Sequence, residues 1–454
     1  MTEPFPNPRI VIVGAGLSGT LLAINLLRES GASVVLIERS EARVARGVAY
    51  ATDNPQHLLN VRASNMSAFP DEPDHFLSWL GPSETPAQNR FVERRTFGAY
   101  IGHLLDEALA AHGDRLAVVQ GEARNARRAA RGWTVEVKGH SPLSCDVLVL
   151  AQGNPAPAGL PAFRNFGPPV YFADPWGAGA TTGLGRRDSI LLVGAGLTAV
   201  DVALSIESEG FAGTIYALSR RGLRPRSHAP VGPNAGPVEP PTAQGARLLH
   251  KVRVRAAEVG WRTAIDELRP HTQDIWRAMT VPERARFLRH LRPYWDAHRH
   301  RLAPAVDQRV GTLQMEGRLR FAAGKVERVE ATRDGAAVTW RVRGNDIRRT
   351  VNVQRIINCT GPSGNIEGCT DPLLRDLKAQ GLIAADPLNL GLDVDAGGRV
   401  RDAFGRLQPD LLAIGPMTRG ESWEIIAVPD IRRQVWETAR TFASQVRQIA
   451  GLDD

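Results

Sequence analysis

Gly14-Ala15-Gly16-Leu17-Ser18-Gly19 and Gly194-Ala195-Gly196-Leu197-Thr198-Ala199 repeat one glycine-spaced pattern 180 residues apart. Glycines at this spacing allow a tight turn and let a pyrophosphate approach bare backbone at a helix N-terminus. The chemistry expected is the binding of two dinucleotides. Gly14, Gly16 and Gly19 serve one, and Gly194 and Gly196 the other. Residues downstream separate the two ligands. The segment after the first turn ends at Glu38, whose carboxylate suits both hydroxyls of an unphosphorylated ribose. The equivalent segment after the second turn ends at Ser219-Arg220-Arg221, with no acid. A guanidinium there suits a 2′-phosphate. FAD is therefore expected on the first turn and NADPH on the second, held by Arg220 and Arg221, with NADH as the other option.

Strands and helices must place these turns. Apolar runs at 10–13 and 190–193 read as strands entering the turns, and runs at 21–27 and 200–206 as the helices leaving them. A second repeat supports this reading. Arg115-Leu116 precedes Gly121 by the spacing at which Arg318-Leu319 precedes Gly324. Alternating strands follow, Trp133-Thr134-Val135-Glu136-Val137 and Val338-Thr339-Trp340-Arg341-Val342. Return strands then stop at Ala151-Gln152-Gly153 and Cys359-Thr360-Gly361. So long a repeat implies two homologous nucleotide domains in one chain. The expected division is an FAD domain at 1–160 completed by 361–454, and an NAD(P) domain at 185–360. The latter carries a mainly helical insertion at 245–310.

Composition excludes several classes. The 454 residues suffice for two or three domains. No apolar stretch reaches the ~18 residues of a membrane span, and the first residues carry no signal-peptide pattern; a cytoplasmic location is expected. Cys145, Cys359 and Cys369 form no CxxC pair, which argues against dithiol electron transfer and against a metal site. The net charge is +8, and 14 Lys or Arg against seven Asp or Glu lie between 244 and 310. These charges are interleaved and no nucleic-acid motif accompanies them, so a solvated basic face is expected, the alternative being that part of it attracts anionic NADPH or an anionic substrate. Helices are expected there at 247–268, 273–279 and 282–291. The Pro- and Gly-rich stretch 222–244 reads as a long loop, either a lid or a linker.

Further motifs gather around the first nucleotide. Gly47-Val48-Ala49-Tyr50 and His57-Leu58-Leu59-Asn60-Val61 follow Glu38. Near the C-terminus, Leu411-Leu412-Ala413-Ile414-Gly415-Pro416 reads as a buried strand ending in glycine, followed by Arg419 to Glu424 and a helix from about 429 to 448. Asn60, Gly153 and Gly415 are the further candidate cofactor contacts.

The order of these motifs resembles the two-dinucleotide flavoprotein monooxygenases. More narrowly, the Gly47 and His57 motifs, Gly194 through Asp201, Ser219-Arg220-Arg221-Gly222, residues 287–295 and Trp423-Glu424 resemble a bacterial group. It contains FAD-dependent urate hydroxylases and L-aspartate N-monooxygenases. The resemblance implies an α/β fold of glutathione-reductase-like architecture. Two Rossmann-like FAD and NAD(P) domains would carry β-meanders and a basic helical insertion. It also implies an NAD(P)H-dependent monooxygenase acting through a flavin C4a-hydroperoxide, with dioxygen and a small molecule as substrates. Urate is the first substrate expected and an amino-acid nitrogen the second. A flavin oxidoreductase serving a quinone or protein partner is a further option. An anionic substrate would need a cation beside the flavin. Arg419 is the first candidate for that role and His228 the second.

Overall fold

The structure, a computed structural model, describes residues 7–232 and 239–450, with side chains described to residue 445. Pro233, Gly236 and Pro237 of the long loop lie outside the described residues. The chain begins with β1 (Arg9–Val13), α1 (Leu17–Glu29) and β2 (Ser33–Glu38). Next come α2 (Gly47–Tyr50), α3 (His75–Leu80), α4 (Arg94–His112) and β3 (Leu116–Gln120). Three strands form an antiparallel meander, β4 (Ala123–Arg128), β5 (Trp133–Val137) and β6 (Leu143–Cys145), and β7 (Val147–Leu150) returns to the first sheet.

The second half repeats the plan. After β8 (Tyr171–Phe172) it runs β9 (Ser189–Val193), α5 (Leu197–Ser208) and β10 (Thr214–Ser219). Six helices intervene: α6 (Gly245–Val259), α7 (Trp261–Leu268), α8 (Thr272–Ala278), α9 (Val281–His290), α10 (Arg292–Arg299) and α11 (Pro304–Met315). Then come β11 (Leu319–Thr332), β12 (Gly335–Val342), β13 (Arg348–Val353) and β14 (Arg355–Asn358). The chain closes with α12 (Pro372–Ala379), β15 (Arg399–Arg401), β16 (Leu407–Ala413) and α13 (Val428–Ala450).

The first sheet has the order β15-β16-β7-β1-β2-β3, parallel except for β15. The second has the order β13-β12-β11-β10-β9-β14-β8. Its parallel part is β8, β14, β9, β10 and the start of β11, while β12 and β13 fold back antiparallel. The inner parallel strands are apolar almost throughout because helices or meanders cover both faces. In the first half α1, α4 and α13 cover one face; the meander and α12 cover the other.

The repeat extends to the glycines that turn the meanders. A Cβ at Gly121 would stand 2.5 Å from Val137 Cγ1, and one at Gly324 2.5 Å from the Arg341 carbonyl oxygen. The halves differ in one respect: the third strand stops before Gly121 but runs through Gly324. In the insertion, the helix expected at 247–268 is two helices. Gly260 takes a φ of +82° between them, outside helical geometry.

Candidate functional site

The two turns have the same construction. Gly14 and Gly194 have φ of +103° and +134°, and each N–H donates to the end of the neighbouring strand, at Ile37 O and Leu218 O, both 2.8 Å. The expectation that Gly14 makes room for phosphate needs correction. A Cβ on Gly14 would drive into the Ala151 carbonyl, and one on Gly194 into that of Cys359. These glycines let the turn pack against its own return strand. Gly19 packs in the same way, against the Gly14 carbonyl. Gly16 and Gly196 instead start α1 and α5 without any side-chain cap, leaving helix N-termini that could take a phosphate. A Cβ on Gly196 would meet nothing within 4 Å; one on Gly16 would lie 3.3 Å from Gly47 Cα. Gly153 and its counterpart Gly361 also open onto free space, at φ of +73° and +90°. These are cradles that a pyrophosphate can enter and a side chain would fill.

Beyond the first turn, Glu38 is buried at the end of β2. It accepts from Ala15 N at 3.1 Å and Ser40 N at 3.2 Å. Its carboxylate is thereby held beside the turn, where a ribose would lie. Gly415, at φ +67°, sits where a Cβ would strike Ser18 Oγ, so the C-terminal strand ends directly against α1. Gln434 of α13 accepts from Gly415 N at 2.7 Å and fixes this turn.

Beyond the second turn, Arg220 is exposed and faces no ion-pair partner among the described residues. Arg343 reaches its carbonyl oxygen at 3.2 Å, which places a second guanidinium close by. Arg221 turns toward the insertion, donating to Arg289 O at 3.3 Å and lying over the Tyr294 ring. Two guanidinium groups, those of Arg220 and Arg343, thus lie near the end of β10, where an anion could be held.

His228 and Asn60 meet. The ring Nε2 lies 3.0 Å from the Asn60 carbonyl oxygen, the ring packs on Phe91, and burial pulls its pKa down to about 4. The imidazole is neutral and committed to holding two segments together, a structural employment rather than the reactive one expected. Residues 226–229 of the loop are docked on the body of the protein, since Arg62 donates to Ala229 O at 2.7 Å and Leu302 pairs with Arg226 and His228.

Sequence reasoning missed a clamp beside these residues. Arg94 at the start of α4 grips Asp201 of α5 with both amino groups, at 2.8 and 3.1 Å. His57 Nε2 meets Asp201 O at 3.0 Å, while Thr52 Oγ meets Nδ1 at 2.8 Å. His57 and Asp201 both belong to recognised motifs; their meeting across 144 residues has no mark in the sequence.

Arg419 lies where the insertion folds over the C-terminal turn. Trp276 and Trp423 stack at 4.7 Å with Leu390 beneath them, and Arg284 binds the Gly420 and Trp276 carbonyls. Arg419 stands over the Trp423 ring at 4.5 Å; burial pulls its pKa down to about 10, so it stays charged. Glu424, 2% exposed, accepts from Trp295 at 2.8 Å and faces Arg299 at 3.4 Å. Burial pushes Glu424 up, but His300, Arg299, Trp295 and Arg419 outweigh it and hold the carboxyl below its usual range. The expected solvated basic face therefore holds for α6, which buries no residue, and fails for Arg299 and Arg301, which lie largely enclosed in ion pairs.

This is the fold of two-dinucleotide flavoproteins. Residues 11–155 match the family described as FAD-NAD(P)-binding. Comparison with curated proteins finds no match. Among solved structures, the chain is similar to L-lysine 6-monooxygenase from Pseudomonas syringae, at 18% identity and TM-score 0.62, covering 97% of this chain and 99% of that one. It is similar to the Kutzneria sp. 744 ornithine N-hydroxylase with reduced FAD, NADP+ and L-ornithine, at 14% identity and TM-score 0.61, covering 98% and 99%. Thioredoxin reductase from Lactococcus lactis follows at 13% identity and TM-score 0.53, covering 96% and 99%. Among the described residues no group could hold a metal ion, and no helix is long and apolar enough to cross a membrane.

Proposed function

We propose that this chain is an FAD-dependent, NADPH-using monooxygenase that hydroxylates the nitrogen of a small amino acid. The observation that carries this reading is two dinucleotide cradles on one frame without a dithiol beside them. Cys145 and Cys359 are buried and unbonded; burial pushes the first thiol up to about 12 and raises the second as well. Neither is a thiolate ready for disulfide exchange. The likeness to two amino-acid monooxygenases at TM-scores of 0.61–0.62, against 0.53 for thioredoxin reductase, supports the same side and sets amino acids ahead of urate.

When bound, the two cofactors supply hydride and the reduction of dioxygen. The chain's own residues bind, orient and exclude water. Glu38 takes the first ribose, the uncapped starts of α1 and α5 take the two pyrophosphates, and Arg220 takes the 2′-phosphate. The Trp276–Trp423 stack closes the substrate side against solvent.

The test is to follow NADPH oxidation, oxygen uptake and product with the purified yellow protein. L-aspartate, L-ornithine, L-lysine and urate are the substrates to compare. Hydroxylated amine in proportion to oxygen consumed is expected. Substrate-independent oxidation yielding only hydrogen peroxide would replace the reading with a simple oxidoreductase; 5-hydroxyisourate from urate would restore the purine. Arg220→Ala should weaken NADPH about 10- to 100-fold, the worth of a charge-assisted contact, and spare NADH.

A further inference from the structure

Asp201 and Ser205 stand four apart on α5 and Ser208 three further, so one face of the helix carries all three. The segment 52–57 and the start of α4 meet that face. Arg94 grips the Asp201 carboxylate with both amino groups. His57, 2% exposed, lies with Nε2 3.0 Å from both Asp201 O and Ser205 Oγ, and with Nδ1 2.8 Å from Thr52 Oγ. A carbonyl oxygen only accepts, so Nε2 carries the proton and Nδ1 accepts from the Thr52 hydroxyl. Burial lowers the pKa of the ring and keeps it neutral. Asn54 donates to Ser208 at 3.2 Å and Gln56 to Glu207 at 3.4 Å, while Leu58 and Phe91 pack against the core around α5. The contact is stiff on both sides. Arg94 N donates to His57 O at 2.9 Å and Leu59 N to Val92 O at 2.8 Å, which makes His57 and Arg94 one unit. Helix α4 shares a hydrophobic core with α1. Helix α1 starts at the Gly16 cradle and α5 at the Gly196 cradle. Asp201 follows Gly196 by roughly 7.5 Å of helix rise. A continuous path of packed elements therefore runs from one cradle to the other through the Arg94–Asp201 pair.

We propose that Arg94, Asp201 and His57 are positioning residues that set the distance and angle between the two cradles for hydride transfer from NADPH to FAD. The proposal rests on the reading that the cradles hold these two cofactors. The hydride given up by NADPH, leaving NADP+, is the one FAD gains; no other oxidant or reductant enters. None of the three residues belongs to either cradle, so their work is geometric. The groups assigned to FAD, Gly16 and Glu38, lie in the first half, and those assigned to NADPH, Gly196 and Arg220, in the second. Loosening the contact shifts one set against the other and alters neither. Transfer between two held reactants is steeply sensitive to such shifts, and a displacement of about 1 Å can cost about 100-fold in rate. The signature is a slower transfer at unchanged affinity for both cofactors.

The double variant Arg94→Gln/Asp201→Asn removes the ion pair without stranding a charge. His57→Gln is the second variant should the double variant fail to fold, with flavin content and unfolding midpoint as controls. Reduction of the flavin-loaded proteins by NADPH is followed anaerobically by stopped flow. The limiting rate should fall about 10- to 100-fold while the Kd for NADPH stays as in the wild type. Dithionite, which needs no nicotinamide site, should reduce variants and wild type alike. Arg94→Lys, which keeps the charge without the two-pronged grip, should recover part of the rate. A second readout is independent of activity. Amide hydrogen exchange in the flavin-loaded protein without nicotinamide should quicken at 52–58 and along α5, and stay slow in β1 and β9. Folded variants that are reduced at the wild-type rate overturn the proposal, even where the unfolding midpoint falls, because the contact would then serve stability alone. A raised Kd at an unchanged limiting rate also overturns it, by giving the contact to NADPH binding. Failure of the two-cofactor reading shows separately, in wild-type protein that holds flavin yet is not reduced by NADPH, and the proposal falls with it.

Discussion

Gly14 and Gly196 belong to the same motif type but do different work. At Gly14 a methyl group would collide with the Ala151 backbone at a φ that L residues avoid. At Gly196 it would enter open space at a φ of −85°. Gly14→Ala should therefore lower the unfolding midpoint sharply and lose flavin through misfolding. Gly196→Ala should keep stability and flavin while raising the KM for NADPH at least tenfold, because the methyl group takes the place of phosphate. Thermal melts and steady-state kinetics on the pair check this; unchanged KM in folded Gly196→Ala would remove the second cradle. His228 gives a pH prediction. Its folded pKa, about 4, lies below the ordinary value of 6.5, so between those values the unfolded chain binds more protons. Stability present above pH 6.5 is lost as pH falls toward 4, by about 2 kcal/mol between pH 7 and pH 5. Urea unfolding at both pH values should show this slope, and His228→Gln should flatten it.

The Arg94–Asp201 pair joins the start of α4 to the body of α5, and both residues are mostly enclosed. Breaking such a pair from one side leaves a stranded charge, at a cost of roughly 3–5 kcal/mol. Arg94→Ala and Asp201→Ala should each destabilise by about that much, and the double variant by clearly less than the sum. An additive double variant in urea unfolding would show that the contact carries no coupling. Elements also set what the sequence could reveal. The glycine turns, meanders and return strands were legible because backbone geometry demands glycine at Gly14, Gly121, Gly194 and Gly324, and two copies reinforce each other. The split at Gly260 was not, because a single glycine inside an apolar pattern reads as a tolerated defect. Neither were the clamp and the Arg299–Glu424 contact, which depend on which helix face meets which neighbour. One periodic signal did point there: Trp295 and Arg299 stand four apart on α10 and both reach Glu424.

At the scale of the whole molecule, the second sheet is threaded into the first. Strand β7 ends at Leu150, and its neighbour β16 begins only at Leu407. Everything between them builds the other sheet and the helical insertion. A ribosome making this chain thus releases the second nucleotide unit while the first still lacks an edge of its sheet and the covering helix α13. Sequence-distant pairing of this kind is slow to form and leaves apolar surface waiting. Nascent chains stalled near residue 395 should already hold a protease-resistant core spanning β9 to β14, while α1, which packs on α13 in the finished protein, stays open to cleavage. The first cofactor would then be captured only once β16 and α13 have emerged to complete its cradle, later than the second.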